Sequence, residues 1–320
     1  MIQAVYSSLL AFAIALLIGP GSIRELRRLR FGQAVRQDGP KRHLAKAGIP
    51  TMGGVIILIA VAAATFAFAR NAVLVPWALF VTLGYGLIGL IDDFLIVVTR
   101  RSLGLRARQK LIGQIVIAGL LGLFVASRPE LGTTVLVPFW GKQLELGLLY
   151  VPFAIFVVVG ASNAVNLTDG LDGLAAGATA IAALAYAIIA FRIGRPDLGV
   201  FAAAIAGACI GFSWFNAHPA QIFMGDTGSL ALGAALGSLA VLTKTELLLV
   251  VIGGVFVVET ISVIIQVVYF RFTHGKRVFK MSPLHHHFEL SGWAEPQVVV
   301  RFWIIAAIFA VLGLVISGVW

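Results

Sequence analysis

The sequence predicts an all-α integral membrane protein of about ten transmembrane helices, with both termini outside and a small outer hairpin between spans four and five. Three observations carry that expectation. Hydrophobic residues make up 60% of the 320-residue chain and charged residues only 12%. Apolar runs long enough to cross about 30 Å of hydrocarbon recur along the whole length. Basic residues are also unevenly shared, and cytoplasmic connections collect Lys and Arg. Of 24 Lys and Arg, eight fall in residues 24–46, five in 100–110 and four in 271–280, the connections after spans one, three and nine. The opposite connections hold only Arg70, Arg128, Lys142, Arg192, Arg195 and Lys244. A net charge of +10 would also attract nucleic acid, but no aromatic-basic RNA or DNA motif accompanies it, so no nucleic-acid partner is expected.

The spans read as residues 2–19, 51–69, 74–91, 111–126, 148–161, 174–191, 198–215, 229–242, 247–270 and 298–320. The first lacks the basic n-region and small-residue cleavage site of a signal peptide, so it counts as a span. Between spans four and five, "TTVLVPFWGKQLEL" sets β-branched residues around Gly141 and Lys142, the pattern of a hairpin. The lone Cys209 lies inside span seven, which leaves no intramolecular disulfide. No repeat or linker divides residues 1–320, so one polytopic domain is expected.

Charge near hydrocarbon is costly and needs a reason. Asp92 and Asp93 in "GLIGLIDDFLIV" close span three, Asp169 and Asp172 lie between spans five and six, and Asp226 lies between spans seven and eight. The predicted topology puts all five on the cytoplasmic face. Adjacent carboxylates at a helix C-terminus are disfavoured by the dipole and by each other, which implies a cation or a perturbed pKa; a solvated surface pair is the plainer reading. In "ASNAVNLTDGLDGLAAG", Asn163 and Asn166 precede Asp169, Gly170, Leu171 and Asp172, and a helix break here would offer amides and carboxylates to a polar ring and ribose hydroxyls. A polar turn with a capping Asp is the alternative. "NAHPAQIFMGDTGSLALG" puts Asp226 before a Thr-Gly-Ser helix start, with Thr227 or Ser229 as cap. Asp226 there can hold Mg²⁺ against a substrate phosphate, because hard oxygen ligands and partial hydration suit that ion. Lys46 and Thr51 in "KAGIPTMGG", with Arg106, Arg108 and Lys110, make an electropositive rim around this acidic centre.

Together these stretches resemble the phospho-N-acetylmuramoyl-pentapeptide transferase (MraY) family, within the polyprenyl-phosphate N-acetylhexosamine-1-phosphate transferase superfamily. The resemblance runs from "GQAVRQDGPKRHLAKAGIPTMGG" through "IDDF", "NAVNLTDGLDGLAAG" and "FMGDTGSLALG" to "MSPLHHHFELSGW", nearly the whole chain. It implies ten spans, a homodimer in the bacterial plasma (inner) membrane, and a Mg²⁺-dependent transfer of phospho-MurNAc-pentapeptide from its UDP carrier to undecaprenyl phosphate, releasing UMP. It places Asp92 and Asp93 near the reacting phosphates, Asp226 on Mg²⁺ and Lys110 on substrate phosphate. Asn166, Asp169 to Asp172, Asn216 and Phe223 fall to the uridine-side pocket, with Lys46 and Thr51 at the nucleotide-sugar site. His285, His286 and His287 match the family's triple-histidine loop, and "FELSGW" after them favours the muramoyl branch over enzymes transferring GlcNAc-phosphate. The chain departs from the family at Ile96, often a lysine, and at Phe94, commonly a tyrosine; Arg100 or Arg101 are the available substitutes.

A transporter would keep ionisable groups at the midplane of paired halves; only Glu259 fits that description, and a neutral or hydrogen-bonded interhelical residue is its plainer reading. Glu259 and Gln266, seven apart and on one face, sit in the longest run, which contains Gly253-Gly254. That span is expected to bend and to border a groove for the lipid tail, with Gln266 nearer the nucleotide. Adjacent histidines point in different directions and rarely share one ion, so zinc is disfavoured and each ring of His285 to His287 is expected to have its own task. Both direct attack by the lipid phosphate and an aspartyl-phosphate route through Asp92 or Asp93 remain open.

Overall fold

The computed structural model describes residues 1–29, 46, 48–69, 72–99, 104–138 and 140–318. The basic stretch 30–45, with Arg100 and Arg101, lies outside the described residues. Twelve helices and one hairpin follow in order: α1 (Ile2–Arg28), α2 (Gly54–Phe68), α3 (Val75–Thr99), α4 (Ala107–Ala126), β1 (Thr134–Val137), β2 (Lys142–Glu145), α5 (Tyr150–Thr168), α6 (Leu174–Arg192), α7 (Pro196–Asn216), α8 (Gly225–Leu242), α9 (Leu248–Ile252), α10 (Gly254–Phe272), α11 (Leu284–Glu289) and α12 (Glu295–Ile316). The hairpin pairs Thr134 with Glu145 and Val137 with Lys142, at the far end of α4 and α5 from the aspartates.

Nine helices among the described residues are long and apolar enough to cross a membrane, which makes this a multi-pass membrane protein. The sequence called for ten. The exception is α2, whose 15 residues span only about 22 Å. Its first turn is given up to pairing: Gly53 and Gly54 N–H donate to the carbonyls of Phe223 and Met224, and Phe223 N–H donates to Pro50 O. A second difference concerns α3, which continues to Thr99, so Asp92 and Asp93 lie within the helix and not at its C-terminus. Their charges are answered by partners rather than by an end effect.

α8 is the central post. It packs against α3 and α5, while α7 packs against α1 and α6. Nearly every side chain on α8 is buried, and most are Gly, Ala or Ser. Helices in lipid gain little from hydrophobicity and much from close backbone approach. At Gly233 that approach is tight enough that a methyl group would overlap the Ala161 carbonyl on α5. The run predicted as span nine is interrupted at Gly253, between α9 and α10. A cavity of about 240 Å³ follows the break, walled by Gly160, Ala164 and Val165 of α5 and by Phe256, Val257 and Thr260 of α10.

Candidate active site

Two polar clusters form at one end of the bundle. In the first, Asp92 and Asp93 of α3 meet Asp226 in the first turn of α8, with one carboxylate oxygen from each lying within 4.8 Å of the others. Asp93 is spoken for. Its Oδ1 accepts Asp226 N–H at 3.1 Å, and its Oδ2 accepts Thr227 N–H at 3.0 Å and the Thr227 hydroxyl at 2.7 Å. These are donors that an N-cap normally satisfies. The sequence suggested Thr227 or Ser229 as cap, yet Ser229 bonds back to Gly225 O and Thr227 is a donor to Asp93. The cap therefore comes from another helix, where the positive end of the α8 dipole faces a buried carboxylate.

Asp92 and Asp226 share one lysine. Asp92 Oδ1 accepts Leu105 N–H at 2.8 Å, and its Oδ2 lies 3.2 Å from Lys110 Nζ. The same ammonium is 2.5 Å from Asp226 Oδ2. Asn166 Nδ2 donates to Asp226 Oδ1 and to Ser229 Oγ, each at 2.8 Å. Asn163 does not join them: its amide donates to Gln114 Oε1 on α4 and to Val159 O. The Asp92, Asp93 and Asp226 oxygens form a hard donor set that fits a divalent ion such as Mg²⁺, with Lys110 holding part of the negative charge in balance.

The second cluster gathers Lys46, Asp172, His218 and Glu295. Lys46 Nζ is 2.6 Å from both Asp172 Oδ1 and Glu295 Oε1, and lies over the Phe223 ring at 5.9 Å. Asp172 Oδ2 accepts Ala220 N–H at 3.1 Å and lies 3.1 Å from His218 Nδ1. Asn216 ties the walls together, accepting Gly173 N–H and donating to Ile222 O. Asp169 lies between the clusters. Burial, reinforced by the charges of Asp226, Asp93 and Asp172, pushes its carboxyl up to about 8. Thr51 is buried beside Gly225, and Leu171 is buried within the same turn.

The three histidines lie on α11, a short helix rather than a loop. Glu259 of α10 caps it, accepting Leu284 N–H at 2.6 Å and His285 N–H at 3.1 Å. This is the role of the acid that a transporter would place at its midplane. One face further along α10, Gln266 accepts from Val278 and Phe279 N–H and donates to Phe279 O. The expectation that the three rings point apart holds only in part: the His285 and His286 rings meet edge to face, with centroids 4.1 Å apart, yet each has different partners. His285 is fully enclosed, its Nε2 against Gly170, where a Cβ would stand only 2.3 Å away. His286 Nδ1 pairs with Glu289, and His287 Nδ1 accepts Lys280 N–H. Sequence reasoning missed Glu295, His218 and Gln114; an acid before a proline at a helix start signals only a cap, and nothing in the chain order links residue 295 to residue 46.

The sequence model of Glycosyl transferase family 4 matches residues 74–244, a range holding all five aspartates. Phospho-N-acetylmuramoyl-pentapeptide-transferase signature 1 matches residues 46–58, which include Lys46 and Thr51. The curated phospho-N-acetylmuramoyl-pentapeptide-transferase of Geobacillus sp. (strain WCH70) is 53% identical over 320 residues, covering 99% of this chain and 98% of the relative. That of Anoxybacillus flavithermus is 54% identical, covering 97% and 96%, and that of Desulfitobacterium hafniense is 54% identical, covering 96% and 95%. With identity above half along nearly its full length, and with Asp92, Asp93, Asp226, Lys46 and Asp172 inside the matched segments, the chain belongs to the phospho-N-acetylmuramoyl-pentapeptide-transferase family.

Proposed function

We propose that the protein transfers phospho-MurNAc-pentapeptide from UDP-MurNAc-pentapeptide to undecaprenyl phosphate, releasing UMP, at a site facing the cytoplasm of the bacterial plasma membrane. The observation that carries this reading is the Asp92–Asp93–Asp226 constellation with Lys110 inside it, at one end of an apolar bundle. The uneven sharing of Lys and Arg supports the cytoplasmic side.

In the reaction an oxygen of the lipid phosphate forms a bond to the sugar-linked phosphorus, and the bond from that phosphorus to UMP breaks. Positioning and charge neutralisation dominate such transfers. Asp226, with Asp92 beside it, would hold Mg²⁺, and the ion would supply charge neutralisation to the pyrophosphate and the departing UMP. Lys110 reaches the same oxygens and offers its ammonium to the phosphates. Asn166 fixes the face that Asp226 presents, and Asp93 fixes the helix that carries Asp226. Asp93 is engaged by α8 through both oxygens, whereas Asp92 shares Lys110 with Asp226, and this reading gives Asp92 the task of orienting the lipid phosphate. A phosphate monoester has a second pKa of about 6 and needs little help to reach its dianion at pH 7. Direct attack follows.

The Lys46, Asp172 and Phe223 corner takes the uridine, and His286 and His287 face the phosphates and sugar. The cavity between α5 and α10 takes the first part of the lipid tail. Purified protein supplied with undecaprenyl phosphate and Mg²⁺ should release UMP from UDP-MurNAc-pentapeptide and not from UDP-GlcNAc. Release from UDP-GlcNAc alone would overturn the assignment. A protein-bound phosphate, formed from labelled UDP-sugar without lipid and then passed to lipid, would overturn direct attack.

A further inference from the structure

Glu295 opens α12, far from the aspartates in sequence, yet one of its oxygens holds two groups of the uridine corner. Its Oε1 accepts the Lys46 ammonium at 2.6 Å and Asp172 N–H at 2.8 Å. Its Oε2 lies 3.6 Å from His218 Nδ1. Four segments meet there: the approach to α2, the α5–α6 turn, the α7–α8 connection and the start of α12. Asp172, His218 and Glu295 are spaced as cation ligands would be. The ammonium of Lys46, 2.6 Å from two of those carboxylates, is the cation already present.

We infer that Glu295 is a positioning residue for the nucleotide end of the substrate. It aims Lys46 toward Phe223 and fixes the backbone of Asp172, and it touches no substrate itself. This rests on the reading that the Lys46, Asp172 and Phe223 corner takes the uridine. A lysine has a flexible four-carbon stem, and one carboxylate would leave the ammonium free to swing. Two carboxylates at equal distance set its direction before substrate arrives, which removes an ordering cost from binding. The α12 dipole presents its positive end to the Glu295 charge.

Glu295→Gln tests this, because the amide oxygen still accepts from Asp172 N–H while the charge that holds Lys46 is gone. In the full-length protein with both substrates varied, KM for the UDP-sugar should rise about tenfold, the cost of one charge-assisted contact. KM for undecaprenyl phosphate and kcat should stay within about twofold. In a Lys46→Met background, Glu295→Gln should add little, because both changes release the same contact. Glu295→Asp, with its shorter reach, should show the same split and serves if the glutamine variant does not fold. An equal fall in kcat, a rise in both KM values, or additivity with Lys46→Met would overturn the proposal. If Lys46→Met raises the UDP-sugar KM while neither Glu295 variant does, only the role of Glu295 falls. If Lys46→Met leaves that KM unchanged, the uridine corner itself is misplaced.

Discussion

Asp93 is the residue whose replacement says most about how the site is built. Its carboxylate accepts two backbone N–H groups and one hydroxyl at the start of α8, at 3.0, 3.1 and 2.7 Å. Losing an N-cap costs about 1 kcal/mol, and each hydrogen bond to a charged, buried acceptor contributes roughly 1.5–3 kcal/mol before non-additivity is allowed for. Asp93→Ala should therefore destabilise the start of α8 by about 3 kcal/mol and let Asp226 drift. Asp93→Asn should cost about 1–2 kcal/mol, since its oxygen still accepts while its NH2 group meets a donor. Asp226 is then held less well, and binding of Mg²⁺ weakened by 1.4 kcal/mol needs about tenfold more metal. UMP release by Asp93→Asn, titrated with Mg²⁺ beside a melting curve, should show partial activity, a Mg²⁺ midpoint about tenfold higher and a lower melting temperature. A variant with unchanged Mg²⁺ dependence and melting temperature but no turnover would refute the cap and make Asp93 a reacting group.

Gly160 lines the cavity with open space where a side chain would point, so Gly160→Leu should fold normally and fill the groove. KM for undecaprenyl phosphate should rise about fivefold, with the UDP-sugar KM unchanged; an unaltered lipid KM would remove the tail from this cavity. Gly170→Ala drives a methyl group into His285 and should cost about 1–3 kcal/mol. Adding His285→Ala should recover part of the melting temperature, and no recovery would mean the clash is elsewhere. The Asp169 carboxyl, pushed up to about 8, binds its proton more tightly in the folded protein than in the unfolded chain, whose carboxyl titrates near about 3.9. Its contribution to stability is thus complete below about pH 4 and lost as pH rises through about 8. In EDTA, the melting temperature should fall between about pH 4 and about pH 8, and Asp169→Asn should flatten that slope; an equal slope in both would count against it.

Apolar run length and the placement of Lys and Arg were enough to read a polytopic helical protein, because crossing hydrocarbon constrains composition residue by residue. The same cost marked Asp92, Asp93 and Asp226 as a group, and the structure brings them together. Gly253-Gly254 marked the break between α9 and α10 for a backbone reason visible locally. What a carboxylate does once it is in place was not legible in chain order. Asp93 and Asp92 are neighbours on one helix, yet one caps α8 and the other faces Lys110. Glu259 could be read as a hydrogen-bonded interhelical residue, but its partner, the histidine helix 25 residues away, could not be. Lys46 resembled a topology residue and is gripped by Glu295, 249 residues away. Hydropathy and short motifs are local and survive in the sequence, whereas hydrogen-bond partners are chosen by which helix ends the packing leaves side by side.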